Sequence, residues 1–263
     1  MTQRLFVFGC SYTSYAYPTW ADYIGVNFQK YYNYGVGGAS NTYIMNKLVE
    51  ANEKHVFDSN TDEVIVMITG FGRFSYMPVD SSWVSHGDLY SNVAVTKNPI
   101  LEFFLKNMWS EEWAVYQSWI ATKIMKNLLV SKNIKHKFLM GIDNSAYRDG
   151  TVYLSEPARN FTNEIYKMID HKKSLDEWKS ESTENQDTPI WKEGNRRDGH
   201  PSYISHYKYT KEHFSEFMTS KSQELKEFWD ENFDYSSQNN QGAKYNLYFR
   251  QQHDLAINDR YPF

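Results

Sequence analysis

Three times in its first 72 residues the chain writes a short strand-like run that stops at a glycine turn. Arg4 to Phe8 (RLFVF) ends at Gly9-Cys10-Ser11, Tyr31 to Gly35 runs into Gly35-Val36-Gly37-Gly38, and Asp62 to Thr69 (DEVIVMIT) stops at Gly70-Phe71-Gly72. Helical stretches follow the first two, one from about Pro18 and one through about Asn52. Parallel strands need a helix-length crossover between them, so this order predicts a parallel sheet. The nearly continuous apolar character of Asp62 to Thr69 adds that the sheet is covered on both faces.

Further along, Trp113, Tyr116, Ile120, Ile124 and Leu128 recur at helical spacing behind a Ser110 N-cap, with Glu111 and Glu112 in the first turn. That helix leads into a fourth buried-strand candidate, Lys137 to Ile142 (KFLMGI). The expected architecture is α/β in three layers. Residues 74–109 and 143–197 lack clean periodicity and are too long for bare loops, so they read as insertions with local structure that shape the mouth of any site. Ile204, Tyr207, Lys211, Phe214, Met218, Leu225 and Trp229 trace one final helix. Residues 1–230 thus form one domain, and 231–263, rich in Gln and Asn, a tail that docks on the domain or joins a homo-oligomer.

Composition removes several function classes. With a formal net charge of −4 and no Lys/Arg block, the chain has no electrostatic footprint for nucleic acid or an anionic membrane. Neither is expected as a partner. A lone cysteine, Cys10, excludes an internal disulfide framework and a multi-cysteine zinc site, and the histidines show no metal-ligand spacing, so no metal or cofactor is expected. The longest early apolar stretch, Leu5 to Phe8, is too short for a signal-peptide core, which leaves cytoplasmic synthesis as the expectation. Aromatic residues reach 17%, but they are spread through the chain and read as packing rather than as one binding stripe.

Acyl transfer by a serine needs a histidine to take its proton, a carboxylate to hold that histidine, and N–H donors for the oxyanion. Ser11 follows the first strand, where a parallel sheet exposes side chains at its C-terminal edge, although a serine there is also an ordinary turn or cap residue. Asp198-Gly199-His200-Pro201 precedes the final helix, and Pro201 biases His200 towards an extended backbone. That segment alone reads equally as a polar turn. Cys10 is a second candidate nucleophile, or a cysteine packed beneath the turn.

Taken in order, FGCSYT, then Asn33-Tyr34-Gly35-Val36-Gly37-Gly38 with its N-x-G-x-x-G pattern, then DGHPSYISHYKYT resemble the first, second and closing blocks of the SGNH (GDSL) hydrolases over about residues 4–218. The resemblance implies a flavodoxin-like parallel sheet with helices on both faces, and hydrolysis of esters, commonly acyl groups on carbohydrates or lipids. It implies Ser11 as nucleophile and oxyanion donor, Gly38 as a second backbone donor, His200 as base and Asp198 as its orienting partner. Cys10 stands where the family has an Asp, and Asp198 and His200 are two apart rather than three. Gly70-Phe71-Gly72 replaces the third block's G-x-N, so its side-chain donor is absent; Thr69, Arg73 or Asn41 is expected to supply a donor to the substrate, with Arg73 open to a structural ion pair instead. At this block the chain looks like SGNH-like sequences from viruses and environmental samples, which implies a viral or virion-associated setting. Two functions follow: an esterase acting on a small ester or an acetylated glycan, or a silent SGNH-like domain kept as a binding or assembly module.

Overall fold

The structure is a computed structural model, and it describes residues 3–15, 17–77, 83–89, 97–181 and 200–232. Its strands are β1 (Arg4–Gly9), β2 (Lys30–Gly35), β3 (Asp62–Ile68), β4 (Arg73–Tyr76), β5 (Val84–Asp88) and β6 (Lys135–Met140). Its helices are α1 (Trp20–Gly25), α2 (Asn41–His55), α3 (Pro99–Asn107), α4 (Glu111–Ser131), α5 (Glu156–Met168), α6 (Leu175–Ser180), α7 (Tyr203–His213) and α8 (Ser220–Asn232).

Four strands make a parallel sheet in the order β2-β1-β3-β6. Leu5 through Phe8 and Val64 through Ile68 have no exposed surface, as strands covered on both faces require. The crossover from β1 to β2 runs one way along the sheet and that from β2 to β3 runs back, so two right-handed crossovers place α1 and α2 on opposite faces. Packing agrees: α1 meets α7 and α8, whereas α2 meets α4 and α4 meets α5. The expected α/β order of layers is therefore present. Beside β6, a fifth strand position is reduced to one parallel bridge between Leu139 and His171, where Met140 N–H donates to His171 O at 3.0 Å.

The local chemistry that starts each helix is visible. Thr19 and Asp22 open α1, with Thr19 N–H donating to the Asp22 carboxylate at 2.8 Å. Ser110 caps α4, its hydroxyl accepting from Trp113 N–H at 3.1 Å. Residues 74–109 contribute to an antiparallel hairpin, β4–β5, and to α3; residues 143–181 contribute a 3₁₀ turn, α5 and α6. Residues 182–199, including the rest of the second insertion, and 233–263, nearly all of the tail, lie outside the described residues.

Two boundaries differ from expectation. The fourth strand begins at Lys135, whose ammonium pairs with Glu63 at 2.7 Å, and ends at Met140. The single final helix is two helices. Phe214 leaves α7 at φ −138°, ψ 35°, and a 3₁₀ turn over Ser215–Phe217 precedes α8. The Asn27 amide holds this break open by donating to Phe217 O and to Ser222 Oγ, both at 2.8 Å. Phe214 is still fully buried, 6.2 Å from the Trp20 ring, so the apolar spacing runs on through the turn and hides it. Among the described residues no helix is long and apolar enough to cross a membrane.

Candidate active site

Because β1, β2 and β3 run parallel and in register, with Gly9 beside Gly35 and Phe8 beside Val66, all three glycine turns emerge at one sheet edge. The first turn is closed by Thr13 N–H and Ser14 N–H on Cys10 O, at 2.9 and 3.3 Å. Gly9 is required there, since a Cβ would lie 2.0 Å from Thr13 Oγ1. Cys10 is fully buried beneath the turn.

A buried polar network fixes this turn to the second. Asn33, which opens the N-x-G-x-x-G pattern, donates through its amide to Thr13 O at 2.8 Å and accepts from Gly35 N–H at 2.9 Å. Thr19 Oγ1 also donates to Thr13 O, at 2.7 Å. Asp22 lies behind, accepting from Tyr31 OH at 3.0 Å. Burial pushes the Asp22 carboxyl up to about 6, against the opposing effect of its hydrogen bonds to Thr19 and Tyr31.

On this platform His200 Nε2 lies 2.8 Å from Ser11 Oγ. The imidazole stacks on Tyr15, ring centroids 4.2 Å apart and planes at 20°, and meets Tyr12 edge-on at 5.5 Å. Its chain segment is pinned from below, where the buried Tyr17 OH donates to Pro201 O at 2.7 Å. Ser202 then caps α7 by accepting from Ser205 N–H at 3.1 Å. Asp198 lies outside the described residues.

Gly38 sits in the second turn at φ 74°, where a side chain is strained, and a Cβ there would come within 2.9 Å of Gly87 N. The hairpin packs onto it, with Gly87 N–H donating to Gly38 O at 3.1 Å. Among the described residues, the N–H groups of Ser11 and Gly38 carry no hydrogen bond. They are free donors at the sheet edge.

The third turn is tied to the rest of the fold by two asparagines. Asn41 was expected to face the substrate, but it is 2% exposed and its amide is consumed by the fold: Oδ1 accepts from Thr69 N–H at 2.9 Å, while Nδ2 donates to Thr69 O and Ser118 Oγ at 3.2 and 3.0 Å. A second asparagine, Asn144, clasps the same turn, accepting from Phe71 N–H at 3.0 Å and donating to Ile142 O at 3.1 Å. Thr69 has no exposed surface, and its enclosed hydroxyl has no partner among the described residues. Arg73 differs. It lines a cavity beside the turn, no carboxylate lies within ion-pair distance among the described residues, and its enclosed Nη1 has no acceptor.

Sequence reasoning did not single out Tyr12, Tyr15, Tyr17, Asp176 or His206 as parts of this site. The spacing of three tyrosines within six residues of Ser11 was the available signal. Tyr12 OH donates to Asp176 at 2.6 Å. Burial raises the Asp176 carboxyl, and burial together with the Asp176 charge raises the Tyr12 phenol above its ordinary range. His206, on α7 behind the two tyrosines, is pushed down to about 3, first by burial and then by the neighbouring charges of His200 and Lys179. No group of three or more His, Cys, Asp or Glu side chains suited to a metal occurs among the described residues.

The chain is similar to the solved structure of a member of the lipolytic protein G-D-S-L family from Veillonella parvula DSM 2008, at 12% identity and a TM-score of 0.42 over 84% of this chain and 97% of that one. It is also similar to an acetyl xylan esterase, AlAXEase, at 13% identity and a TM-score of 0.38 over 88% of this chain and all of the other. No protein-family model and no curated protein matches it.

Proposed function

We propose that the chain is a divergent SGNH-type serine hydrolase that cleaves a small acyl ester, an acetyl group on a carbohydrate in the first instance. The observation that carries this reading is the 2.8 Å approach of His200 Nε2 to Ser11 Oγ at the C-terminal edge of a parallel sheet, next to two unengaged backbone N–H groups. In the neutral tautomer with Nε2 unprotonated, His200 accepts the Ser11 proton as Oγ attacks the acyl carbon. The carbonyl oxygen becomes an oxyanion and receives the N–H groups of Ser11 and Gly38. His200 then returns the proton to the departing alcohol, leaving an acyl-serine. A water, deprotonated by the same imidazole, releases the acid and restores Ser11.

Asp198 is assigned to hold the other imidazole nitrogen, two residues from His200 in the chain. Tyr15 and Tyr17 keep the ring in one orientation, one by stacking and the other through Pro201. Gly72, where the family pattern has an asparagine, offers no side-chain donor, and loss of one such donor typically lowers kcat by about 10²- to 10³-fold. The enzyme is therefore a slow esterase that favours activated esters. Labelling with a fluorophosphonate and mapping the adduct tests the class and the nucleophile together. The adduct is expected on Ser11, and Ser11→Ala is expected to abolish hydrolysis of nitrophenyl acetate. Hydrolysis that survives Ser11→Ala rejects the mechanism, and a protein that neither labels nor hydrolyses any acyl ester is a binding module.

A further inference from the structure

Between the third turn, the start of α2 and the start of α4 lies a cavity of about 230 Å³. Its polar lining includes hydroxyl and amide side chains and one cation, Arg73. Half-buried Arg73 lines it with no carboxylate in ion-pair distance among the described residues, and its enclosed Nη1 is costly to leave unpaired unless a ligand satisfies it. Trp109, 9% exposed, adds an enclosed indole N–H that has no acceptor among the described residues. The N–H groups of Asn41 and Thr42 open the 15-residue α2, carry no hydrogen bond among the described residues, and bring the positive end of its dipole. Among the described residues no carboxylate lines the cavity.

The remaining walls are flat and fixed. Phe71, Phe74 and Trp113 line it; Phe74 is stacked on Phe104 at 4.4 Å, and Trp113 meets Trp109 at 5.3 Å. A volume below the ~300–1,000 Å³ of drug-sized sites suits one ring-sized group. Phe71 lies in the glycine turn that shares the sheet edge with Ser11, and Arg73 follows it directly.

We infer that this cavity is the subsite for a carboxylate-bearing sugar ring, so that the ester cleaved at Ser11 is an acyl group on an acidic sugar. The inference deepens the esterase reading and rests on it for the word substrate. One cation matches one negative charge, which favours a carboxylate over a phosphate monoester. Arg73 takes the carboxylate, with Trp109 and the α2 N–H groups completing its hydrogen bonds, and the aromatic walls hold the ring.

Methyl glucuronoside and methyl glucoside differ only at C6, and neither carries an ester, so their binding to the wild-type protein can be compared by calorimetry without turnover. The glucuronoside is expected to bind about 10- to 100-fold more tightly, the scale of a charge-assisted hydrogen-bonded pair. Arg73→Gln is expected to erase that preference, and Trp109→Phe, which keeps the ring and removes the N–H, to reduce it several-fold with unchanged melting temperature. Equal binding of the two sugars, a preference that survives Arg73→Gln, or tighter binding of inorganic phosphate overturns the inference. A glucuronoside preference in a protein that hydrolyses no acetylated form of either sugar leaves the subsite standing and removes the esterase reading.

Discussion

His206 makes acid stability a test of how the site is built. It is 1% exposed on α7, meets the Tyr12 ring edge-on at 6.4 Å and the Tyr17 ring at a tilt at 6.5 Å, and has an enclosed Nδ1 with no partner among the described residues. Its pKa falls from 6.5 in the unfolded chain to about 3 in the fold. The folded state therefore binds fewer protons between those values, and stability that is full above about pH 6.5 is lost as the pH drops, by about 1.4 kcal/mol per pH unit. Asp22 acts in the opposite sense, because its pKa rises from 3.8 to about 6 on folding, and stability is gained as the pH falls through that window at the same rate. From about pH 6 to about pH 4 the two groups cancel. Replacing His206 with Phe, a swap of similar size, removes one side of the balance. Urea unfolding followed by tryptophan fluorescence should then show the variant gaining on the wild type as the pH drops, by about 2 kcal/mol between about pH 6.5 and about pH 4.5. A stability difference that stays constant over that range would refute a neutral, buried His206.

Two substitutions probe the supports of the Ser11–His200 pair. Tyr17→Phe removes the hydroxyl that donates to the Pro201 carbonyl, and the expected loss is about 1–3 kcal/mol of stability. Because Pro201 adjoins His200, kcat for nitrophenyl acetate should fall while KM changes little; a stability loss with kcat intact would detach the histidine from this anchor. Gly38→Ala places a Cβ 2.9 Å from Gly87 N in a left-handed backbone, whereas a Cβ on Gly37 meets nothing within 4 Å. Gly38→Ala is expected to cost about 2 kcal/mol or more and to depress kcat, with Gly37→Ala close to wild type in both. Thermal melting and steady-state kinetics on the pair check this.

The sheet was legible because its signal is one-dimensional. A strand covered on both faces is an unbroken apolar run, and a parallel crossover demands a helix between runs, so β1, β2, β3 and α4 could be located from composition and turn residues alone. Where a tertiary contact decides the backbone, the pattern misleads. The break between α7 and α8 depends on Asn27, almost 200 residues away, offering its amide to Phe217 O, and the apolar spacing through Phe214 and Met218 carries no trace of that bond. The remnant fifth strand was equally hidden, since one bridge at His171 has no periodicity to read.

At the site, residues whose backbone geometry is demanding left the clearest marks. Gly9, Gly38 and Pro201 each occupy a position where the chain's path admits few alternatives, and glycines and prolines are visible in a sequence as such. Polar residues are ambiguous by comparison, because an amide that binds a ligand and an amide that binds the fold are the same side chain. Asn41 and Arg73 follow the second and third glycine turns and looked alike as donors to a substrate. The difference lies in their accounts of hydrogen bonds: Asn41 spends its amide on Thr69 and Ser118, and Arg73 Nη1 has no acceptor among the described residues. A buried donor that the fold leaves unsatisfied costs free energy in the empty protein, and a ligand that supplies the acceptor recovers that cost. For this reason the proposed subsite is built on the Arg73 guanidinium, which also lines a cavity, rather than on the well-bonded asparagine amide.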